Sequence, residues 1–269
     1  MMRRAAKGKF RSSGRARPLA VVFVADLHTG HTQAVCPLAV ARSPIQRHLC
    51  AAWADLIKRL DALAKTADVV LAMGGDLVEG FHHGNTDDWA TDEDEQAQGA
   101  IALLTPLVAR AKAVWAVTGT EAHAGRLGAM DRMIARELGA TIFRPGQDIE
   151  VQGRWLDWQH HGAAVGRLPW TRDDGVYRMA KAAWWTAHEA GAPPPALVMR
   201  HHLHVMPAPG QFRGTLAAVC GAWQGMTAFG ARLGRKTSDI GCWVWWPADN
   251  RLEPWRWPWK EKAYRHGGK

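Results

Sequence analysis

The chain has 269 residues, 47% of them hydrophobic and 22% charged, with a formal net charge of +9. That is the composition of a soluble globular protein long enough to bury a real core in one domain rather than two. No apolar run has membrane-spanning length, the basic N-terminus lacks a secretory apolar segment, and the four cysteines form no CxxC pair, which argues against a disulfide framework or zinc knuckle and for a reduced, cytoplasmic setting.

In chain order, "PLAVVFVADLH" reads as a buried strand ending in a polar pair. "SPIQRHLCAAWADLIKRLDALAK" has proline near its start and apolar residues at helical spacing, which predicts a helix. "ADVVLAMGGD" is a second buried strand, and "TDEDEQAQGAIALLTPLVARAK" is a helix with an acidic first turn and a basic last turn, as the helix dipole favours. "AVWAVTG" is a third strand, followed by a helix from about Met130 to Leu138. This alternation predicts a parallel sheet covered by helices on both faces. Beyond residue 145, "DIEVQGRWLDWQHHG" predicts a hairpin turning at "QGR". A helix from roughly Val176 to Ala190, the strand "LVMRHHLHV" and short Trp-rich strands follow. The tryptophans there are expected to pack in the core rather than to stack on bases.

The charge sits at the ends. Residues 1–17 carry seven Lys or Arg and no acid, and residues 260–269 carry four against Glu261, so the stretch between is near neutral. The expected organisation is a flexible basic tail (1–17), one domain (18–260) and a basic C-terminal tail (261–269). The tails are either solvated or phosphate-attracting arms, the latter bringing nucleic acid as a partner; no membrane partner is expected.

Five successive strands end in metal-capable groups: Asp26 and His28; Asp76; the segment "GTEAH" with Thr120, Glu121 and His123; His160 and His161; and His201, His202 and His204. Carboxylates mixed with imidazoles suit manganese, iron and zinc, and residues two apart in an extended chain point the same way. Two ions about 3.5–4 Å apart can clamp a phosphoryl group.

The ordered set DxH, GD, a glycine turn, HG and HxH over residues 20–210 resembles the calcineurin-like metallophosphoesterase family. The resemblance implies an α/β fold of two packed mixed β-sheets flanked by helices, a four-layer αββα sandwich. It implies two divalent ions, manganese first with iron or zinc as alternatives, and a bridging hydroxide that attacks phosphorus. Asp26, His28 and His204 would bind one ion, Asp76 would bridge, and His161 and His202 would bind the second. His161 is chosen over His160 because Gly162 follows it.

The family pattern at the third strand is GNH and an acid; here Thr120 takes the Asn place, Glu121 the His place, and His123 lies two residues late. The turn is read as reshaped, with His123 as general acid or phosphate contact and Thr120 or Glu121 completing the metal shell. Weak binding of the second ion, or decay of the site, are the rival readings. The variant motif, with "GDLVEGFHH", resembles a bacteriophage and prophage branch of the family. His82 and His83 are expected on the pocket rim as substrate contacts. The expected function is a phosphodiesterase, either a nuclease or an enzyme acting on a nucleotide derivative. The alternatives are a phosphomonoesterase, or a nucleic-acid-binding accessory protein with weakened catalysis.

Overall fold

The computed structural model describes residues 17–81, 88–90, 92–166, 171–232 and 238–259. His82 and His83, and the two basic tails apart from Arg17, lie outside the described residues.

The first three strands are β1 (Leu19–Val24), β2 (Asp68–Met73) and β3 (Ala113–Ala116). They pair in parallel, with Leu19 opposite Asp68 and Val24 opposite Met73. Helices α1 (Pro44–Thr66) and α2 (Glu93–Val108) link them. Ser43 starts α1 with a complete capping box to Gln46, and Asp92 caps α2 by accepting from the Glu95 amide. Each cap satisfies backbone donors that a helix start otherwise leaves unpaired. A short α3 (Glu121–Ala124), α4 (Ala129–Glu137) and β4 (Thr141–Ile142) complete this half.

The second half contains β5 (Asp148–Val151), β6 (Arg154–Trp158), α5 (Arg172–Glu189), β7 (Leu197–Arg200), β8 (Gly210–Phe212) and β9 (Thr215–Val219). After α6 (Ala228–Arg232) come β10 (Gly241–Trp246) and β11 (Arg251–Arg256). One sheet has six strands in the order β11-β10-β1-β2-β3-β4, and the other has five in the order β5-β6-β7-β9-β8. Both are mixed. The periodicity alone predicted a parallel sheet, but β10 runs antiparallel to β1, a pairing that joins chain ends and leaves no local signal.

The sheets pack face to face, with helices outside. Phe23 on one meets Trp158 on the other edge-on at 5.8 Å, and Trp243 and Trp245 are buried in the same core. The C-terminal tryptophans are therefore packing residues. Helix α5 covers the second sheet through Val176 and Ala180. It begins at Arg172, earlier than its apolar stripe suggested, because the first turn is occupied by Asp173 and Asp174. Among the described residues no helix is long and apolar enough to cross a membrane.

Candidate metal centre

The in-register pairing of β1 with β2 delivers Asp26 and Asp76 to one end of the first sheet. The parallel pairing of Trp158 with Met199 delivers His160 and His201–His204 to the adjoining end of the second. Backbone bonds fasten the loops together: Asp26 N–H donates to Gly75 O at 3.0 Å, His28 N–H to Asp76 O at 3.0 Å, and His201 N–H to His160 O at 3.1 Å.

These loops are not extended. Asp26, His28, Asp76, His202 and His204 all have φ between 48° and 76°, a region that non-glycine residues seldom occupy. The expectation that alternate residues of an extended DxH or HxH segment face one way is corrected: the paired side chains converge because each backbone turns left-handed. Backbone strain of this kind concentrates at functional sites. The close approach also explains two glycines. A Cβ on Gly119 would collide with the Asp76 carboxylate, and one on Gly75 would collide with the Gly119 backbone.

Asp26, His28 and His204 form one group of converging ligand atoms. Asp26 Oδ1 is 3.9 Å from His28 Nε2 and 3.4 Å from His204 Nε2, and the two imidazole nitrogens are 3.1 Å apart. Ligand atoms about 2.1 Å from a shared cation stand about 3.0–3.4 Å apart in octahedral or tetrahedral geometry; two of the three separations match, and the Asp26–His28 pair at 3.9 Å is wider. Asp26 Oδ1 and His160 Nε2 are buried without a hydrogen-bond partner among the described residues. His160 Nε2 lies 3.0 Å from Asp76 Oδ2 and 3.9 Å from Asp26 Oδ1. The shorter contact is an ion-pair distance, so Asp76 already faces the His160 ring. Asp26 Oδ1 is left without a hydrogen bond, which is costly in the interior unless a cation binds it.

Asp76 belongs both to a group with Asp26 and His160 and to one with His28 and His123, the position expected of a shared ligand. His161 and His202 group with His160. His161 is exposed, its ring 5.0 Å from those of His160 and His202, whereas His160 is buried with Nδ1 held 2.7 Å from Gly74 O. The His160 ring is thus oriented from behind and aimed at both carboxylates, a position that sequence reasoning assigned to its neighbour. His201 is fully buried and accepts from Trp158 Nε1 at 2.8 Å, so it belongs to the core.

The turn after β3 has a definite arrangement. The Thr120 amide donates to Asp76 Oδ1 at 2.6 Å and its hydroxyl donates to the same oxygen at 3.0 Å. Glu121 turns outward and accepts from the Leu127 amide at 3.1 Å, so Thr120, not Glu121, faces the site. His123 sits edge-on to His28 at 4.4 Å, with Nδ1 2.7 Å from Glu79 O. If Nδ1–H donates there, Nε2 is left as an acceptor. Burial and the nearby His28 lower the His123 pKa to about 4. In this metal-free state a neutral ring suits the phosphate contact better than the general acid, the two roles expected of it.

Two buried carboxylates escaped the sequence reading. Glu79 Oε2 is 2.9 Å from His28 Nδ1, and Gln224 Nε2 donates to it at 3.3 Å, the outer support that ligating histidines use. Its place three residues after Asp76 is a signal that could have found it. Asp131 on α4 accepts from the amides of Asp76 at 3.1 Å, Leu77 at 3.0 Å and Gly119 at 2.7 Å. It clamps the loops after β2 and β3 together, and no sequence pattern marks it.

Electrostatically the cluster balances itself. Burial opposes charge on His160, but Asp76 and Asp26 outweigh it and push the pKa up to about 10. Burial likewise opposes charge on His28, and Glu79 raises its pKa. Burial works against the charged forms of Asp26 and Asp76 too, yet the imidazoles hold both pKa values below the usual carboxylate range. In the metal-free protein a proton on His160 occupies the electrostatic role that a cation would take.

No family model matches the chain, and no curated protein matches it. Among solved structures the chain is similar to an archaeal phosphodiesterase, with TM-score 0.45 and 11% identity over 88% of this chain and 99% of that one. It is similar to a Thermus thermophilus protein, TT1561, with TM-score 0.44 and 12% identity over 90% and 100%. It is also similar to Vps29 of Chaetomium thermophilum, with TM-score 0.39 and 10% identity over 84% and 79%. Likeness at this level carries no chemistry; the functional reading rests on the side chains.

Proposed function

We propose that this chain is a metal-dependent phosphoesterase that cleaves phosphodiesters, with a centre of the calcineurin-like type and manganese as its first candidate metal. The observation that carries the reading is the convergence of Asp26, His28, Asp76, His160 and His204, from four separate loops, on one buried locus where Asp26 Oδ1 has no hydrogen bond among the described residues. Asp26, His28 and His204 would hold one ion, Asp76 could serve both, and His160, with His202 and His161, would hold the second. Divalent ions held there would supply Lewis-acid activation of water and neutralisation of phosphoryl oxygens.

The chain's own groups do the rest. Glu79 fixes the His28 ring, Gly74 O fixes that of His160, and Thr120 holds the Asp76 carboxylate in place. His123 presents an acceptor beside the shared carboxylate, two residues after the place where the family's histidine was expected.

The test is hydrolysis of an aryl phosphodiester and its matching monoester by metal-stripped protein as Mn²⁺ is added back. Diester turnover that rises with Mn²⁺ and disappears in His204→Ala is expected. Preference for the monoester would make the chain a phosphomonoesterase. No turnover of either ester at saturating Mn²⁺ would sink the enzymatic reading.

A further inference from the structure

The outer face of α5 carries a strip of rings and cations that ester cleavage does not use. Tyr177, Lys181, Trp184, Trp185 and His188 recur at helical spacing on one face, while Val176 and Ala180 face the sheet. Tyr177 is 45% and Trp185 42% exposed, an unusual amount of large aromatic surface to leave in water. Trp184 stacks on His188 at 4.9 Å and meets Trp185 edge-on at 5.1 Å.

The turn between β8 and β9 extends the strip. Phe212 lies 5.6 Å from Trp184 and 6.1 Å from Tyr177. The Arg213 guanidinium stands 4.7 Å over Trp184, and the Lys181 ammonium 5.9 Å from the Phe212 ring centre. Arg213 takes a left-handed φ of 47° immediately before Gly214, so the turn pushes its side chain over the rings. The charges set among these rings are cations, Arg178, Lys181 and Arg213, while the acids of the helix, Asp173, Asp174 and Glu189, stand at its two ends.

Exposed rings interleaved with cations match the chemistry of unpaired nucleic acid. Bases stack on aromatic faces, Arg adds cation–π contact, and positive charge follows the phosphates. A protein partner would call for apolar surface without these interleaved cations, and duplex bases are not free to stack. We propose that this strip is a docking track for single-stranded nucleic acid. From Tyr177 to His188 it runs about 16 Å along the helix, room for a short run of bases. Arg172 at the start of α5 lies 3.8 Å from Asp239, whose amide donates to His204 O at 2.9 Å, so the track starts on the metal-centre side and leads away from it. The fate of the bound strand rests on the phosphodiesterase reading; the binding does not.

The test uses the full chain and a labelled oligo-dT of about 20 nucleotides, followed by anisotropy at roughly 50 and 200 mM salt. Trp185→Ala and Arg213→Ala are each expected to weaken binding on the order of tenfold, and Trp185→Phe to restore most of it. Arg213→Ala should also flatten the salt dependence by about one counterion. Thermal melts of both variants check folding. Equal affinity for parent and variants, preference for duplex, or no binding by the parent would overturn the proposal. So would a dimer that Trp185→Ala dissolves while oligonucleotide binding persists. Hydrolysis of the small aryl diester by the same proteins reads the metal centre separately. Binding without hydrolysis sinks only the enzymatic reading, and hydrolysis without binding sinks only this one.

Discussion

Thr120 is bonded to Asp76 twice, its amide donating at 2.6 Å and its hydroxyl at 3.0 Å to the same carboxylate oxygen. The turn after β3 is therefore an anchor for the shared ligand. Thr120→Val keeps the shape and the amide bond but removes the hydroxyl, at a stability cost of about 1 kcal/mol. The freed Asp76 carboxylate should hold metal less well, so Mn²⁺ titration of diester turnover should shift to higher concentration. An unchanged titration would show that the hydroxyl contributes nothing to the site.

Glu79 supports His28 from behind at 2.9 Å. Glu79→Gln leaves the fold intact but removes the charge that orients the ring. Metal affinity measured by calorimetry should fall roughly 10- to 100-fold. Affinity equal to the parent's would remove Glu79 from the site.

Asp131 satisfies three backbone amides from two loops. Asp131→Ala strands those donors in the interior, and the loss should be about 3 kcal/mol or more. Chemical denaturation would measure it, and a loss under about 1 kcal/mol, the worth of one ordinary hydrogen bond, would contradict the clamp.

His160 and His161 separate cleanly by substitution. His160→Ala should lower the number of ions bound per chain and remove turnover, whereas His161→Ala should act more weakly because that ring is exposed. Metal analysis after gel filtration decides it; the reverse order would return the role to His161.

Proton linkage supplies a further expectation. The folded metal-free protein holds a proton on His160 up to about pH 10, above the ordinary 6.5. That interaction stabilises fully below pH 6.5 and is lost as pH rises through about 10. A metal must displace the proton, so binding near neutral pH should release protons and tighten as pH rises. Calorimetry in buffers of different ionisation enthalpy reads the release directly. No buffer dependence would mean that the imidazole is already neutral.

Much of this molecule was legible in its residues. Apolar runs marked β1, β2, β3 and β7, helical spacing marked α1, an acidic first turn marked α2 (its expected basic last turn falls beyond Val108), and "QGR" marked the hairpin, because these depend on neighbours close in sequence. The strand ends announced Asp26, His28, Asp76 and His204 for the same reason: a polar residue after a buried run is a local event. Tertiary structure decided what depends on distant segments. It set β10 antiparallel beside β1, turned His160 rather than His161 towards the carboxylates, and brought Glu79 under His28. It also placed Asp131 across two loops, and swung Thr120 inward and Glu121 outward at adjacent positions. Each of those outcomes follows from which atoms meet across separately folded loops, and one-dimensional spacing carries no information about that meeting.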